Sequence, residues 1–475
     1  MFNTIKEFIR KVVNKLFNKE TIQKTVNVDI AMSNEMYTKK QLWQQIYEDK
    51  APWLSNTVSS MNVGAGVASE LARLVTIEFQ SEISNNDFLN KEYQAVIDNI
   101  RNYTEYACAG GGVCFKPYVS DGHIEVDVVQ AINFFPTAYN SRGEITGCIL
   151  PETMTKGDTT YIRIEYHNFN NGEHTIINRA FKQKNLGSFN LSTQSLGDEI
   201  SLAEVEEWAN ITEEVTIRNV ERPLFSYFKM PLANTIDSTS PEGVSVYARV
   251  AKDLLKKVDE QYSRIIWEFE SKETVIHADR DLFKKDNEGK PILPTGKERL
   301  YRSVDMDSSV TGNKQIDVFS PDIRDTSMFN GLNELLRQVE FLCGLATGTI
   351  SKPLESDKTA TEVKMSRQRS YQQVKDIQKS LRVALEGLVY AMYVMGSISK
   401  LPVKPVDIEK DVSWNFDDSI IVDKDSELNS MFADVSANII DSVYYIMKKY
   451  GVDEKTAREM QPQQVEVKPN LYPEE

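Results

Sequence analysis

The residue types best suited to acid–base or metal chemistry are scarce in this chain and lie far apart. It has four histidines among 475 residues, namely His123, His167, His174 and His277. Each lies in a strand-like or turn-like stretch, with no second ligand at the spacing of a metal site. The sequence also has no Walker A motif, nucleophile elbow or HExxH helix. We therefore expect no catalytic residue, no metal site and no cofactor.

Clustered carboxylates offer one alternative to that expectation. Asp417 and Asp418 lie close to Asp423 and Asp425, and such a cluster is able to bind Mg²⁺. Acids in a loop before a helix more often favour the positive N-terminus of that helix, and we prefer this interpretation. A nuclease or nucleotide-using enzyme remains the alternative, which an assay of DNA cleavage with Mg²⁺ would test.

A local reversal of charge is a stronger signal. The chain has 55 basic and 70 acidic residues, a net charge of −15, whereas residues 358–382 contain seven basic and two acidic residues. The basic residues are Lys358, Lys364, Arg367, Arg369, Lys375, Lys379 and Arg382. Such an excess calls for an anionic partner, either nucleic-acid phosphates or the acidic face of another copy of the chain.

Long amphipathic helices are predicted to carry these charges. Apolar residues recur at spacings of three and four over 241–271 and 326–348, and over a longer segment, 358–400. Ser240, Pro241 and Glu242 have the types of an N-cap, a first helical residue and a first-turn acid. A loop over 349–357 separates the last two helices, since it contains Pro353 and several turn-forming residues.

The rest of the chain predicts an α+β fold. Helical patterns at 39–49, 66–83 and 87–109 precede an antiparallel, meandering group of strands up to residue 229. Two further strands, 274–278 and 315–319, lie in a partly basic insert at 272–325. After residue 400 we predict a strand at 412–416, a helix at 426–450 and a tail at 461–475. Residues 1–26 form a basic amphipathic segment, which we interpret as a docking helix rather than a membrane anchor.

Composition limits the classes of partner and compartment. A pI near 5.0 is unfavourable for tight DNA binding, although an acidic lining suits a channel through which DNA slides. The spacing of the four cysteines indicates free thiols in a reducing cytoplasm. We find no secretory signal and expect no membrane-spanning segment, so we predict a soluble protein made in the cytosol.

The order of these parts resembles the portal proteins of tailed bacteriophages, in particular those of long-tailed phages of Gram-positive hosts. The resemblance extends over roughly residues 27–460. The local matches are Gly110-Gly-Gly-Val-Cys-Phe-Lys-Pro117, Thr359-Ala-Thr-Glu-Val363 and Asn415-Phe-Asp-Asp-Ser-Ile-Ile-Val-Asp423.

The resemblance implies a division of the chain into the parts of a portal subunit. Residues 27–240 would form a wing, 241–271 and 326–348 two stem helices, and 272–325 a small α/β clip between them. Residues 349–357 would form a tunnel loop, 358–400 a long helix of the wing and tunnel, and 401–460 a helical crown.

The resemblance also implies a function. The chain would be a non-enzymatic head–tail connector of the virion, forming a dodecameric ring at one capsid vertex. Double-stranded DNA would pass through the ring without sequence-specific contacts, inward during packaging and outward during ejection. The partners would be other copies of the chain, the major capsid and scaffolding proteins, the terminase and a head-completion or adaptor protein, with no membrane. The alternative is a scaffold or adaptor of long helices without a channel.

Three sets of residues are then predicted to make contacts. The tunnel loop would face DNA through Thr349, Ser351, Lys352, Glu355, Ser356, Asp357 and Lys358. The clip would meet its partners through Lys284, Lys285, Lys290, Lys297, Arg299 and Arg302. The long helix would contact a neighbouring subunit through Lys364, Arg367, Arg369, Lys375, Lys379 and Arg382. We prefer the neighbouring subunit to DNA for this last set, because a densely basic channel would hold DNA too tightly to let it pass.

Overall fold

The structure is a computed structural model that describes most of the chain. The described residues are 19–184, 196–272, 274–286, 288, 290–293, 301–304, 316–320, 322–353, 360–416, 431–437, 439–450 and 454–461, with the backbone alone at 280, 360–367, 454, 455 and 459. They form two compact units, 1–415 and 416–475.

The first unit contains the strands, and most of them form antiparallel sheets. The strands are β1 (Phe79–Ile83), β2 (Gly112–Ser120), β3 (His123–Gln130), β4 (Phe135–Tyr139), β5 (Ile145–Lys156), β6 (Thr159–Asn170), β7 (Glu173–Lys184), β8 (Asp198–Ile200), β9 (Glu214–Arg218), β10 (Ser226–Lys229), β11 (Val275–Asp279), β12 (Tyr301–Val304), β13 (Ile316–Phe319) and β14 (Val412–Phe416). One sheet has the order β4-β5-β6-β7-β8, with β9 also paired to β7, and another has the order β10-β2-β3. The predicted meander is thus confirmed.

The helices of the first unit include three that belong to the predicted stem and tunnel region. The helices are α1 (Lys19–Val26), α2 (Asn34–Tyr47), α3 (Val63–Thr76), α4 (Asp87–Ile97), α5 (Ile100–Gly110), α6 (Leu254–Ser271), α7 (Asp325–Cys343), α8 (Ala360–Ile398) and α9 (Ile408–Asp411). The 39 residues of α8 correspond to about 58 Å at the helical rise. The prediction of one long helix after the loop is confirmed.

The C-terminal part of α8 is the central core helix of the first unit. Val374, Ile377, Leu381, Leu385 and Leu388 are fully buried, at the spacing that the sequence predicted. The helix packs on β2 and β10, and the Ser226 hydroxyl of β10 donates to the carbonyl of Ala384 at 2.6 Å. Gly387 is required here because a Cβ atom would lie 2.6 Å from the Ser226 oxygen.

The same helix has the composition of a membrane span. In the part of the chain that the structure describes, Gln368–Ile398 is the one helical stretch that is long and apolar enough to cross a membrane. We expected no such segment. The stretch is this apolar because Glu386 is its only charge after Arg382. Its buried face packs on the β10-β2-β3 sheet, as in the core helix of a globular domain.

The first stem helix begins later than predicted, at Leu254 instead of Pro241. The residues with the types of a helix start serve another purpose. Glu242 is buried and forms an ion pair with Lys40 of α2. Gly243 packs so closely that a Cβ atom would lie 2.2 Å from the carbonyl oxygen of Gly111. Residues 241–253 therefore form a non-helical segment in the core, and α6 spans about 27 Å.

Three other predicted helices were wrong in part. The segment 66–83 ends as a helix at Thr76 and continues as strand β1, while 87–109 is split into α4 and α5 at residues 98–99. In the second unit, residues 431–436 and α10 (Ser442–Tyr450) are separate helices instead of one, and α11 (Glu454–Glu459) follows them. Local turn residues, such as the Asn99 cap of α5, decide these breaks against an otherwise continuous apolar pattern.

The predicted clip contains a small sheet between α6 and α7. Its order is β12-β11-β13, with β12 parallel and β13 antiparallel to β11. The two predicted strands of the insert correspond to β11 and β13. Residues 401–415 belong to the first unit, since β14 pairs with β1 and α9 packs on α8.

Candidate functional site

The loop between α7 and α8 begins with a left-handed residue. Gly344 has φ +75° and ends α7 as its C-cap. A side chain here would be strained, and its Cβ atom would lie 1.5 Å from the amide oxygen of Gln373 on α8. Gly344 therefore permits both the reversal of the chain and the close approach of the next helix.

A buried carboxylate holds the first half of this loop. Glu340, in the last turn of α7, is 0% exposed. Its Oε1 accepts from the N–H groups of Ile350 and Ser351 at 2.7 and 2.8 Å. Its Oε2 accepts from the Ser351 hydroxyl at 2.8 Å, and both oxygens lie 3.1 Å from the nitrogen of Gly348. The carboxylate thus satisfies backbone donors that no helix or strand would pair.

Two further contacts hold the base of the loop, one with Asn333 of α7 and one within the loop itself. The side-chain oxygen of Asn333 accepts from the N–H of Lys352 at 2.6 Å. The Thr349 hydroxyl donates to the carbonyl of Ala346 at 2.6 Å. The loop is therefore fastened to α7 from Gly348 to Lys352.

The third and fourth turns of α8 are attached to the same helix end. Gln373 donates from Nε2 to the carbonyl of Cys343 at 3.0 Å. The guanidinium of Arg369 lies 4.0 Å from the ring centroid of Phe341, a cation–π distance. The end of α7, the base of the loop and these turns of α8 form one connected assembly.

The structure places only some of the predicted loop contacts. Thr349 and Lys352 are exposed, in agreement with a contact surface. Ser351, also predicted to contact DNA, is 5% exposed, and its hydroxyl donates to Glu340. Glu355, Ser356, Asp357 and Lys358 lie outside the described residues.

The basic residues of α8 already have partners within the chain at several positions. Arg369 stacks on Phe341, and Arg382 lies 2.9 Å from Glu386 and 5.7 Å from the ring of Trp414. The ammonium of Lys375 lies 5.5 Å from the ring of Tyr371, and partial burial lowers the pKa of this lysine. Lys379 is exposed. The side chains of Lys364 and Arg367 lie outside the described residues.

The basic residues of the clip are exposed and partly paired with nearby acids. Lys285 lies 3.0 Å from Asp281, and Lys290 lies 3.1 Å from Glu288. Lys284 and Arg302 are exposed, whereas Lys297 and Arg299 lie outside the described residues. Exposed pairs of this kind contribute little to stability, so they reduce the net positive charge of the patch without fixing its shape.

A second buried carboxylate, which the sequence analysis missed, joins the end of α6 to the start of α7 where the two helices flank the insert that contains β11, β12 and β13. Glu268 of α6 is 2% exposed and receives two bonds from the Arg324 guanidinium, at 3.1 and 2.7 Å. The backbone N–H of Arg324 also lies 3.4 Å from this carboxylate. Bonding to Arg324 lowers the pKa of Glu268 to about 2. The only signal in the sequence is an acid on the inward face of an amphipathic helix.

Two of the four histidines meet in a buried polar chain that their spacing does not reveal. The Leu224 N–H lies 3.4 Å from Nδ1 of His174, whose Nε2 is 2.9 Å from Nδ1 of His167. Nε2 of His167 is 2.9 Å from Glu165, which is also paired with Lys116. Since the Leu224 N–H donates to Nδ1 of His174, the neutral His174 ring carries its proton on Nε2 and donates to Nδ1 of His167. Burial lowers the pKa of His174 to about 3, so the ring stays neutral.

The described residues contain no group of three or more His, Cys, Asp or Glu side chains placed to hold a metal ion. A cavity lined in part by Arg249, Gly344, Arg369 and Gln373 has a volume of about 50 Å³. That is room for water and much less than a cofactor site requires.

Comparison with known proteins agrees with a structural role. A family model described as "Phage portal protein, SPP1 Gp6-like" matches residues 73–469. Among solved structures, the chain is similar to a protein in an assembly titled "Neck of native GTA particle computed with C12 symmetry", with 9% sequence identity and a TM-score of 0.44. That alignment covers 92% of this chain and 99% of the other. No curated protein matches the chain by sequence.

Proposed function

Because the chain belongs to the SPP1 Gp6-like phage portal protein family, we propose that it forms a dodecameric ring at one capsid vertex. The protein is a structural, non-enzymatic component of the virion that connects head and tail. The ring conducts double-stranded DNA inward during packaging and outward during ejection. The observation that carries the proposal is the family match over residues 73–469, which includes both stem helices, the loop and α8.

The loop between α7 and α8 is the part that we propose to contact DNA. Thr349 and Lys352 are exposed on a loop base that is fastened to α7, so a passing duplex meets polar groups on a firm support. The net charge of −15 favours sliding over retention, since acidic residues outnumber the basic residues that could replace the counterions of the phosphates.

The other parts receive roles consistent with their surfaces. The exposed lysines of the clip and Arg302 face the terminase and later the head-completion protein, and the exposed basic residues of α8 contact the adjacent subunit. The major capsid protein and the scaffolding protein are further proposed partners. A long-tailed phage of a Gram-positive host is the source that the sequence resemblance favours. A scaffold of long helices without a channel is the alternative function.

A loop deletion tests the DNA contact. Removing residues 354–357 spares Ser351 and its bonds to Glu340, whereas removing 351–356 also breaks that attachment. We expect both variants to form rings and both to lower the amount of DNA packaged per capsid. The matched control removes no loop residue but replaces Glu334, an exposed acid of α7 outside the proposed contact sets, with Gln. Normal packaging by both deletion variants would contradict the role of the loop.

A further inference from the structure

We propose that Glu340 is a positioning residue: its carboxylate fastens the base of the loop to α7, so that force exerted on the loop by DNA passes into the stem helix instead of distorting the loop backbone. This inference rests on the proposed DNA contact of the loop. It concerns a residue that the sequence prediction did not include among the contacts.

The position of Glu340 is unfavourable for the helix that carries it. It lies in the last turn of α7, where the carbonyl ends of the helix make the potential negative and where a cation is preferred. Among the described residues, no ion pair of Glu340 is present, in contrast to Glu242 with Lys40 and Glu268 with Arg324. A buried charge without a cation is expensive unless hydrogen bonds compensate it.

The donors that compensate this charge all come from the loop. They are the N–H groups of Gly348, Ile350 and Ser351 and the hydroxyl of Ser351. Hydrogen bonds to a charged acceptor are among the stronger ones in proteins. Convergence of three neighbouring N–H groups on one carboxylate specifies the backbone path, and Gly348 supplies the required positive φ of 92°. The carboxylate therefore selects one loop conformation at a cost to the helix end.

The two oxygens allow graded variants. Glu340→Gln keeps one carbonyl oxygen able to accept from Ile350 and Ser351, whereas Glu340→Leu removes every acceptor. Ser351→Ala removes a single hydroxyl bond and leaves the three N–H bonds in place. Glu334→Gln is the matched control, since Glu334 is an exposed acid on the same helix.

Hydrogen exchange of the amides at 348, 350 and 351 in the purified full chain measures the attachment directly. We expect exchange to rise by about tenfold or more in Glu340→Leu, less in Glu340→Gln and Ser351→Ala, and not at all in Glu334→Gln. Exchange at Val339, inside α7, should be unchanged. If the three loop amides exchange equally in wild type and Glu340→Leu, or if Ser351→Ala changes them as much as Glu340→Leu, the proposal is overturned.

Packaging by the same variants tests the mechanical consequence. We expect Glu340→Leu to form rings and to package less DNA than Glu334→Gln. Normal packaging together with raised exchange would overturn the positioning role, because the loop base would then be dispensable. Failure of the proposed DNA contact would give a different pattern from failure of the positioning role. The variant lacking residues 354–357 would then package DNA normally, while the loop amides would still exchange faster in Glu340→Leu than in wild type.

Discussion

Replacement of Lys40 by methionine is expected to destabilise the first unit strongly, because it leaves the Glu242 carboxylate buried without a cation. The side chains of Lys40 and Glu242 are both 1% exposed. The Lys40 ammonium also donates to the carbonyl of Phe134 at 3.0 Å. This pair attaches the beginning of the non-helical segment 241–253 to α2.

The expected magnitude follows from the burial of both partners. Removing one member of a buried ion pair typically costs about 3–5 kcal/mol, whereas replacing both members by apolar side chains ranges from neutral to stabilising by about 1–4 kcal/mol. Lys40→Met should therefore lower the free energy of unfolding by about 3–5 kcal/mol. The double variant Lys40→Met/Glu242→Met should return to the wild-type value or exceed it.

The loss in the single variant should also depend on pH. Burial raises the pKa of Glu242, and removal of the ammonium takes away the largest opposing influence. The folded state then binds more protons than the unfolded state, so stability rises as the pH falls. The destabilisation should be smaller at pH 5 than at pH 8.

Urea unfolding of the full chain, followed by tryptophan fluorescence, provides the measurement, since Trp43 lies on α2 beside the pair. Midpoints are compared at equal slope, which isolates the change in stability. Lys39→Met, at a partly exposed position one residue away, is the control. A single variant as stable as that control, or a double variant no better than the single one, would refute the reasoning.

Two further predictions concern the stem. Glu268 should stabilise the base of the clip above pH 4.5, its ordinary pKa, and lose this contribution as the pH falls towards about 2, because Arg324 lowers its folded pKa. Hydrogen exchange of the amide of residue 324, corrected for the intrinsic rate, should rise over this pH range in wild type and not in Arg324→Leu. An equal pH dependence in both proteins would contradict the prediction. Gly344→Ala should lower the free energy of unfolding by about 1–3 kcal/mol, because φ is +75° at this position and the new Cβ atom displaces Gln373. Adding Gln373→Ala to this variant should remove the clash and leave the backbone strain. A urea midpoint of Gly344→Ala equal to that of wild type would contradict the strain.

The elements with long, regular apolar patterns were the ones that the sequence predicted well. Both ends of α8 were placed within two residues, because burial on one face imposes a period that the local sequence records. The start of α6 was missed for the opposite reason. Ser240, Pro241 and Glu242 have the types of a helix cap, yet a partner 202 residues away draws Glu242 into the core.

The same limit applies to the candidate site. The loop was recognised from Pro353 and its turn formers, but Ser351 was assigned to DNA because nothing local shows that its hydroxyl is bonded to Glu340. Glu340 itself lies on the buried stripe of α7, beside Leu336, Val339 and Cys343. An acid within such an apolar stripe is the one sequence signal here, because a buried carboxylate requires hydrogen-bond donors from its surroundings.

A three-dimensional electron-microscope reconstruction of the purified chain, with particle mass measured alongside, tests the central claim most directly. The account predicts closed rings of twelve 54.1 kDa chains, about 650 kDa, around a hole wide enough for duplex DNA and with the α7–α8 loops at its wall. A chain that stays monomeric with capsid and scaffolding proteins present, or rings whose loops face away from the hole, would contradict it.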